Sequence, residues 1–272
     1  MPGVRDNEEV PESPTGPLPR VRAGLCRGSS VTLIVDFHDA LTAAGADLPG
    51  VELLPERLAH ACAQVLPVDG AGIGLFFSGG RRLPLGASDP VSGEAERLQF
   101  TLGDGPCLSS HASGETVVAD EPTLRSRWPA FHDALLARTT VRGTVSLPLG
   151  GRLRSIGALD LYLVPPHAVA GVSLLDARVV AAEVAAALLA GGRGGEQPDG
   201  PAWLDTPAAG RRSRVWQAMG FVNSGLGLSS PDALALLRAH AYAEGSSLDE
   251  LAVRVVGHEV RVDELSPDLG TR

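Results

Sequence analysis

Residues 215–256 read VWQAMGFVNSGLGLSSPDALALLRAHAYAEGSSLDELAVRVV, and this stretch carries start signals for two helices. Ser229 supplies a hydroxyl side chain for an N-cap, and Pro231 follows close to the first helical position. Ser247 and Glu250 stand three residues apart, which is the spacing of a capping box. Since a further apolar segment precedes both signals, the stretch predicts three short helices.

Apolar residues recur at helical spacing behind both start signals. The second predicted helix carries Ala233, Leu236, Leu237 and Ala241, and the third carries Leu248, Leu251, Ala252, Val255 and Val256. Residues 215–222 are expected to form the last part of the first helix, which is interrupted at Gly220 and ends at Gly225. We therefore predict a small all-α three-helix bundle over residues 207–260.

One set of residues in this stretch has the order found in a known family of output modules: Ala218 and Gly220 in an A-x-G element, Ala233 before an LLR run, Arg238, Tyr242 and Ala252. Met219 occupies the middle of the A-x-G element, where many family members carry Lys or Thr. The pattern resembles the ANTAR domain, an antitermination module attached to many bacterial sensory proteins. The resemblance implies binding to an RNA stem-loop, with an RNA-binding set that includes Ala218, Gly220, Arg238 and Tyr242.

Three further arginines stand where the first helix of the bundle begins: Arg211, Arg212 and Arg214. Positive charge at a helix N-terminus opposes the helix dipole, so helix stability does not explain these residues. Phosphate contact would explain them, and all three join the predicted RNA-binding set. The alternative is the solvated, basic end of a linker. For Arg238, the alternative is a stem packed along the bundle with its guanidinium against an acid such as Asp249.

The charge of the chain limits how RNA could be bound. A formal net charge of −9 argues against a protein that coats nucleic acid without specificity. Residues 206–272 hold seven Arg and eight acidic residues, a balance of −1. Any RNA contact must therefore come from a local patch of arginines.

The longer segment before the bundle alternates helical and strand patterns. Helical patterns span 31–44, 52–66, 128–137 and 174–189, strand patterns span 71–77, 83–87, 115–120, 141–149 and 155–163, and 94–102 is either helical or a loop. The last two strand patterns flank a Gly-Gly-Arg turn and form the clearest predicted hairpin. This order predicts an α+β domain over residues 31–190.

The remaining segments are expected to lack a core of their own. Residues 1–30 are rich in proline and acids, and we predict a disordered tail there. Residues 191–206 begin GGRGGEQPDGP and predict a flexible linker. Residues 261–272 are expected to form a C-terminal tail.

Three motifs occur in order within the α+β domain: GDGPC at 103–107 ahead of the VVAD strand, WPAF at 128–131, and the hairpin region 141–163. In this order they resemble the GAF domain, a small-molecule sensory fold found upstream of many signalling outputs. The resemblance implies an antiparallel sheet with helices on both sides and a ligand cavity over one face. The ligand or cofactor remains unknown from the sequence, because GAF domains hold cyclic nucleotides, tetrapyrroles or other small molecules, and some are empty.

Four residues of this domain are candidate ligand contacts. Cys107 could touch or tether a ligand, or it could pack as a small buried hydrophobe. Trp128 and Phe131 lie one turn apart and could stack on a ligand or anchor the core. Strand alternation places Asp160 on the opposite face from its leucine neighbours, so its carboxylate faces either a cavity or solvent.

Several other functional classes lack their signals in this sequence. The three cysteines form no C-x-x-C pair and the seven histidines show no metal-ligand spacing, so we expect neither a disulfide framework nor a metal site. No P-loop, nucleophile elbow or kinase motif occurs, and we expect no catalytic residues and no enzyme. Because no signal peptide and no long apolar run is present, we expect a cytoplasmic protein without a membrane partner.

These expectations combine into a two-domain regulator of transcription. A ligand-sensing domain controls a bundle that binds a stem-loop in nascent mRNA and prevents termination, by recognising loop shape, exposed bases and phosphates. We also expect a homodimer, because so small a bundle has little core of its own. The alternative is a protein–protein signalling adaptor whose helical bundle docks a partner instead of RNA.

Overall fold

The computed structural model describes residues 30–77, 81–192, 203 and 206–266. Its larger part is an α+β unit built on one antiparallel sheet. The strands are β1 (Gly70–Phe77), β2 (Arg81–Ala87), β3 (Val117–Ala119), β4 (Gly143–Pro148) and β5 (Gly157–Leu163). They lie in the order β2-β1-β5-β4-β3, and every neighbouring pair is antiparallel.

Helices cover both faces of this sheet. The described helices of the unit are α1 (Ser30–Asp47), α2 (Leu54–Val65), α3 (Pro90–Leu102), α4 (Pro106–Ser113), α5 (Glu121–Arg127), α6 (Pro129–Arg138) and α7 (Leu174–Gly191). Helices α2 and α7 pack on an aliphatic face of the sheet and α1 packs on these two helices, whereas α3 and α4 pack on a polar face. The predicted α+β class, with an antiparallel sheet between helices, is confirmed.

Glycines on β1 explain how α3 can lie close to the sheet. A Cβ atom at Gly72 would lie 2.3 Å from Oε1 of Glu96, and one at Gly70 would lie 2.0 Å from Oγ of Ser92. Side chains at these two positions are therefore excluded by the residues of α3. The intervening residues of β1 face the other way and join the aliphatic core.

The C-terminal part is a bundle of three helices: α8 (Pro207–Leu226), α9 (Ser230–Ala243) and α10 (Leu248–Val256). Ser229 accepts a hydrogen bond from the backbone N–H of Asp232, and Ser247 and Glu250 form both halves of a capping box. Both predicted helix starts are confirmed, as is the small all-α bundle. Met219 points into the bundle core, where it is 9% exposed.

Some element boundaries differ from the predictions. Helix α8 runs through Gly220 without a break, because one glycine in a helix interior costs only about 1 kcal/mol. Residues 106–113 form helix α4, a segment for which we predicted no helix. The signal was a proline at the first helical position and a left-handed glycine, Gly114, at the C-cap.

Two described residues of the predicted linker and C-terminal tail are buried. Trp203 is 7% exposed and donates its indole N–H to the carbonyl oxygen of Leu188 at 3.1 Å, so the chain is anchored there. Leu265 is buried in the bundle core, so part of the predicted tail belongs to the bundle. The predicted disordered tail before residue 30 and most of the linker fall outside the described residues.

None of the described helices has both the length and the apolar character needed to cross a bilayer.

Candidate functional site

Seven polar side chains lie buried between α3, α4 and the polar face of the sheet. They are Arg82 on β2, Glu96 and Gln99 on α3, Cys107 on α4, Ser146 on β4, and Asp160 and Tyr162 on β5. We term this group the buried ionic cluster. Burying a charge is costly unless it is paired and hydrogen-bonded, so the partners of each member decide what the cluster can do.

Arg82 lies at the centre of the buried ionic cluster. Its Nη2 atom forms an ion pair with the carboxylate of Glu96, lies 3.2 Å from Oδ2 of Asp160, and donates to Sγ of Cys107 at 3.2 Å. Its Nη1 atom donates to the carbonyl oxygen of Glu96 at 3.2 Å. A single guanidinium group is therefore the ion-pair partner of two carboxyl groups.

The other members connect the sheet to α3 and α4. Tyr162 donates its hydroxyl to Oε1 of Glu96 at 2.5 Å and accepts from Nε2 of Gln99 at 3.2 Å. Oε1 of Gln99 accepts the backbone N–H of Cys107 at 2.8 Å. Ser146 donates to Oδ1 of Asp160 at 2.5 Å. Any change in one member therefore disturbs partners on several elements.

Burial decides the protonation states within the cluster. Burial and the nearby Glu96 carboxylate together raise the pKa of Asp160 to about 8, against the opposing effect of Arg82. Because one arginine cannot balance two buried carboxylates, Asp160 holds a proton at neutral pH. Burial also raises the pKa of the Cys107 thiol, against the opposing effect of Arg82. A protonated, fully buried Cys107 supports the packing alternative over covalent attachment of a ligand.

We expect Asp160→Asn to remove one pH dependence of stability. Since the folded pKa of Asp160 lies above its ordinary value, the folded state holds an extra proton between those two pKa values. The free energy of unfolding should therefore fall as pH rises through that window, by up to about 1.4 kcal/mol per pH unit. The uncharged amide abolishes this contribution. Urea unfolding of both proteins at several pH values between 5 and 8 measures the difference, with roughly pH-unit spacing.

The matched control is Asp39→Asn, which changes an exposed carboxylate on α1. Burial lowers the pKa of His111, but this residue titrates in every variant and cancels in the comparison. The advantage of Asp160→Asn over the natural chain should grow with pH and level off above the pKa of Asp160. An advantage that stays constant with pH would show that Asp160 is ionised throughout.

The other two predicted ligand contacts lie in a hydrophobic group next to the cluster. Trp128 and Phe131 are 3% and 1% exposed and pack in one group with Leu124, Leu135 and Tyr162, which is also a member of the cluster. This burial is the packing that the core-anchor alternative expects. Contact of either ring with a ligand stays a prediction.

Asp160 lies on the face opposite its leucine neighbours. The hydrogen-bond donors next to its carboxyl group are side chains of this protein, Arg82 and Ser146, and not groups of a ligand.

Arg82 and Glu96 were not identified in the sequence, although a signal was present. Arg82 alternates with the apolar Leu83 within β2, which places it on the glycine-lined face of the sheet. Glu96 interrupts the apolar side of α3. A lone charge on a buried face predicts a buried partner.

The residues predicted to bind RNA do not form one surface. Four of them are exposed: Arg211, Arg214, Gly220 and Tyr242. Ala218 is fully buried in the bundle core, and Arg212 is 1% exposed. In this arrangement neither side chain is reached from solvent, so neither contributes to an exposed surface for RNA.

Arg212 and Arg238 hold an aromatic ring of the α+β unit. The guanidinium carbon of Arg212 lies 3.4 Å from the ring centroid of Phe100 on α3, and that of Arg238 lies 5.2 Å from it. Nε of Arg238 also donates to the carbonyl oxygen of Phe100 at 3.1 Å. Asp249 is the ion-pair partner of Arg212, at 3.2 Å, rather than of Arg238. We term Phe100 with these two arginines the Phe100 clasp.

Helix α3 takes part in both arrangements. Glu96 and Gln99 reach the buried ionic cluster, whereas Phe100 and Thr101 face the bundle. Oγ1 of Thr101 accepts the backbone N–H of Leu248 at the start of α10, at 3.3 Å. Because both sets of contacts share two turns of one helix, a shift of α3 that alters the cluster also alters the contact with the bundle.

The bundle does not present a continuous face of arginines. Arg254 pairs with Glu244 at 2.6 Å, and Arg261 pairs with Asp263 at 2.7 Å. Arg211 and Arg214 are exposed and make no ion pair with another described residue. The local patch that RNA binding requires is therefore reduced to one short segment of α8.

Within the part of the chain that the structure describes, no group of three or more His, Cys, Asp or Glu side chains is placed to hold a metal ion.

Comparisons with known proteins give matches among solved structures alone. No protein-family model matches the chain, and no curated protein does. The GAF domain from a phosphoenolpyruvate-protein phosphotransferase of Coxiella burnetii is 15% identical, with a TM-score of 0.43 over 60% of this chain and 96% of that chain. A free methionine-R-sulfoxide reductase from Neisseria meningitidis, solved in complex with its substrate, is 15% identical, with a TM-score of 0.38 over 58% of this chain and 87% of that chain.

Proposed function

We propose that this chain is a signal-responsive regulator, and not an enzyme, whose α+β unit is a GAF-like sensory domain and whose bundle is an ANTAR-like, RNA-binding output module. The ordered sequence motifs of both parts support this assignment, together with the antiparallel sheet and the capped helices. The Phe100 clasp carries the proposal, because it joins the sensory unit to the two bundle arginines that the ANTAR resemblance and the helix start single out.

The proposed regulation has two states, clasped and released. In the clasped state, Phe100 occupies Arg212 and Arg238, and only Arg211 and Arg214 remain free for phosphate contact. Release of Phe100 would return the full set of arginines to solvent. A signal acts by binding one state more tightly than the other. If the clasped state is more stable than the released state by about 2.7 kcal/mol, roughly 99% of the molecules are clasped. A ligand that binds the released state more tightly could then shift the two populations.

We expect the double variant Arg211→Ala/Arg214→Ala to lose RNA. Both side chains are exposed, so the change leaves the packing intact while removing two phosphate contacts. Binding to cellular RNA should weaken by about tenfold or more, and the salt slope of binding should fall by about 2. Crosslinking in cells, followed by sequencing of the bound RNA, gives the targets on which the affinity and the salt slope are then measured.

The matched control is Arg152→Ala/Arg154→Ala, which removes two exposed arginines from the α+β unit. This pair should leave RNA binding unchanged. If the natural chain captures no RNA in cells, or if the α8 variant binds RNA as well as the control, the RNA-binding output is wrong.

One observation favours a second candidate, the signalling adaptor. Most described charges of the bundle are paired, and three apolar or aromatic side chains are exposed on it: Phe221 at 40%, Tyr242 at 62% and Val253 at 48%. Such a surface fits a protein partner better than it fits phosphates. Phe221→Ala should weaken partner capture if the bundle is an adaptor, and it should leave the salt slope of RNA binding unchanged if the bundle reads RNA.

A further inference from the structure

A cavity of about 220 Å³ lies between the α+β unit and the bundle. Helix α2, strand β2 and helix α3 line it on one side, and α8 and α10 line it on the other. Its charged lining residues are Glu56, Asp89, Glu96, Arg97, Arg211, Arg212 and Asp249. The cavity thus differs from the interior of the sheet face, which the buried ionic cluster fills.

Several polar atoms of this lining lack a hydrogen-bond partner. Arg212 is 1% exposed, and its Nε and Nη1 atoms have no hydrogen-bond partner among the described residues. The same holds for Oε2 of Glu56 and Oδ1 of Asp249. Nη1 of Arg212 and Oδ1 of Asp249 lie 3.2 Å apart as an ion pair, but they are not aligned for a hydrogen bond. Folded proteins leave few buried polar atoms unpaired, so these atoms point to a missing partner.

Two cations and two carboxyl groups of this lining lack a full set of partners. Three other charged residues are engaged: Arg97 by Glu94, Glu96 by Arg82, and Asp89 by hydroxyl and backbone donors at the start of α3. Arg212 and Asp249 form an ion pair only with each other, without a hydrogen bond, and Arg211 and Glu56 make no ion pair with a described residue. A simple anion would supply a partner only for the two arginines, and a simple cation only for the two carboxyl groups. A ligand with one acidic group and one ammonium group matches both pairs.

The pKa shifts agree with this geometry. Burial raises the pKa of Glu56, and its own backbone hydrogen bond and the charge of Arg211 offset the effect only in part. Burial lowers the pKa of Arg212, and Asp249 offsets that effect only in part. Each group is therefore short of an opposite charge, which a bound ligand would supply.

We propose that this cavity binds a small zwitterion of amino-acid size, with its acid group on Arg212 and Arg211 and its ammonium group near Glu56 and Asp249. At about 30 Å³ per water molecule, the cavity volume corresponds to roughly seven waters, which suits a small amino acid. Both units contribute contacts, so the ligand stabilises their association. An effect of this ligand on RNA binding rests on the proposed function, whereas binding itself does not.

Thermal unfolding of the full chain, with each common L-amino acid added in turn at saturating concentration, tests this site. At least one amino acid should raise the Tm, by about 5 °C at a concentration near 100 times its Kd. Acetate and methylamine, which carry only one of the two groups, should raise it less. Arg212→Met should abolish the shift. Glu56→Gln keeps the shape of the side chain and should weaken binding by about tenfold, so it serves if Arg212→Met does not fold.

Arg152→Ala, at an exposed arginine of the α+β unit, is the control and should keep the full shift. The site is refuted if no amino acid raises the Tm of the natural chain, which is the result for a cavity that holds only water. It is also refuted if acetate alone gives the whole shift, or if Glu56→Gln binds as tightly as the natural chain. A Tm shift without RNA capture would overturn the proposed function and leave this site standing.

Discussion

Arg82→Met is expected to lower the free energy of unfolding of the α+β unit by about 3–5 kcal/mol. The variant leaves the carboxyl groups of Glu96 and Asp160 buried without the guanidinium that both face. Methionine keeps much of the volume of the arginine stem, so the loss reports the missing charge more than a cavity. Urea unfolding followed by tryptophan fluorescence measures the change, because Trp128 is buried in the same unit.

A rescue experiment separates charge from packing in this prediction. Adding Glu96→Gln and Asp160→Asn to Arg82→Met removes the carboxylates that were left unpaired. Replacing a whole buried ionic group by neutral side chains is often neutral or stabilising, so the triple variant should recover most of the lost stability. Arg152→Met, at an exposed arginine, should change stability by less than about 0.5 kcal/mol. A triple variant as unstable as the single one would show that Arg82 acts through its packing.

Phe100→Ala is expected to release the bundle from the α+β unit. The ring is fully buried among bundle residues and lies under the guanidinium of Arg212. It is nearly perpendicular to the ring of Trp216, with 5.9 Å between the two ring centroids. Truncating a buried phenylalanine costs about 3–5 kcal/mol, and here much of that cost falls on the contact between the two units. Because 1.4 kcal/mol corresponds to a factor of ten, amide hydrogen exchange in α9 and α10 should accelerate by about 100-fold.

Phe221→Ala is the matched control, because this phenylalanine of α8 is 40% exposed and lies outside the clasp. Its exchange rates should stay close to those of the natural chain. If Phe100→Ala accelerates exchange in the α+β unit but not in α9 and α10, the ring supports its own unit and does not hold the bundle. Under the proposed function, Phe100→Ala should also raise RNA binding without added signal, since it frees Arg212 and Arg238.

Local signals predicted the elements of this chain well where each signal lies within a few residues. The capping box at Ser247 and the N-cap at Ser229 need only their own backbone neighbours, and both are present. The alternation that places Asp160 opposite the leucines of β5 is likewise a property of one strand. Local signals were insufficient at Gly220, where one glycine did not break α8, and at α4, whose start and end signals were overlooked. The burial of Trp203 depends on a tertiary contact with Leu188.

The candidate sites could be predicted only in part. Cys107 and Asp160 were identified and do lie in one cluster, but Arg82 and Glu96, which determine its charge, were not. Their partners are far apart along the chain, since Arg82 meets Asp160 only when β1 pairs with both β2 and β5. Phe100 was not identified either, because an apolar residue on a helix predicts burial but not the unit that buries it.

By itself, the sequence determined the two structural classes, the order of the strands and of the longer helices, two helix starts of the bundle, and the charge balance that argues against non-specific coating of RNA. Tertiary structure alone decided which arginines reach solvent and which are used internally. The physical reason is that a guanidinium group can satisfy its charge on phosphate, on a carboxylate or on an aromatic ring, and all three fit the same sequence. Only the folding of α3 against the bundle places the Phe100 ring against Arg212 and Arg238, which buries Arg212 and leaves Arg238 half-buried.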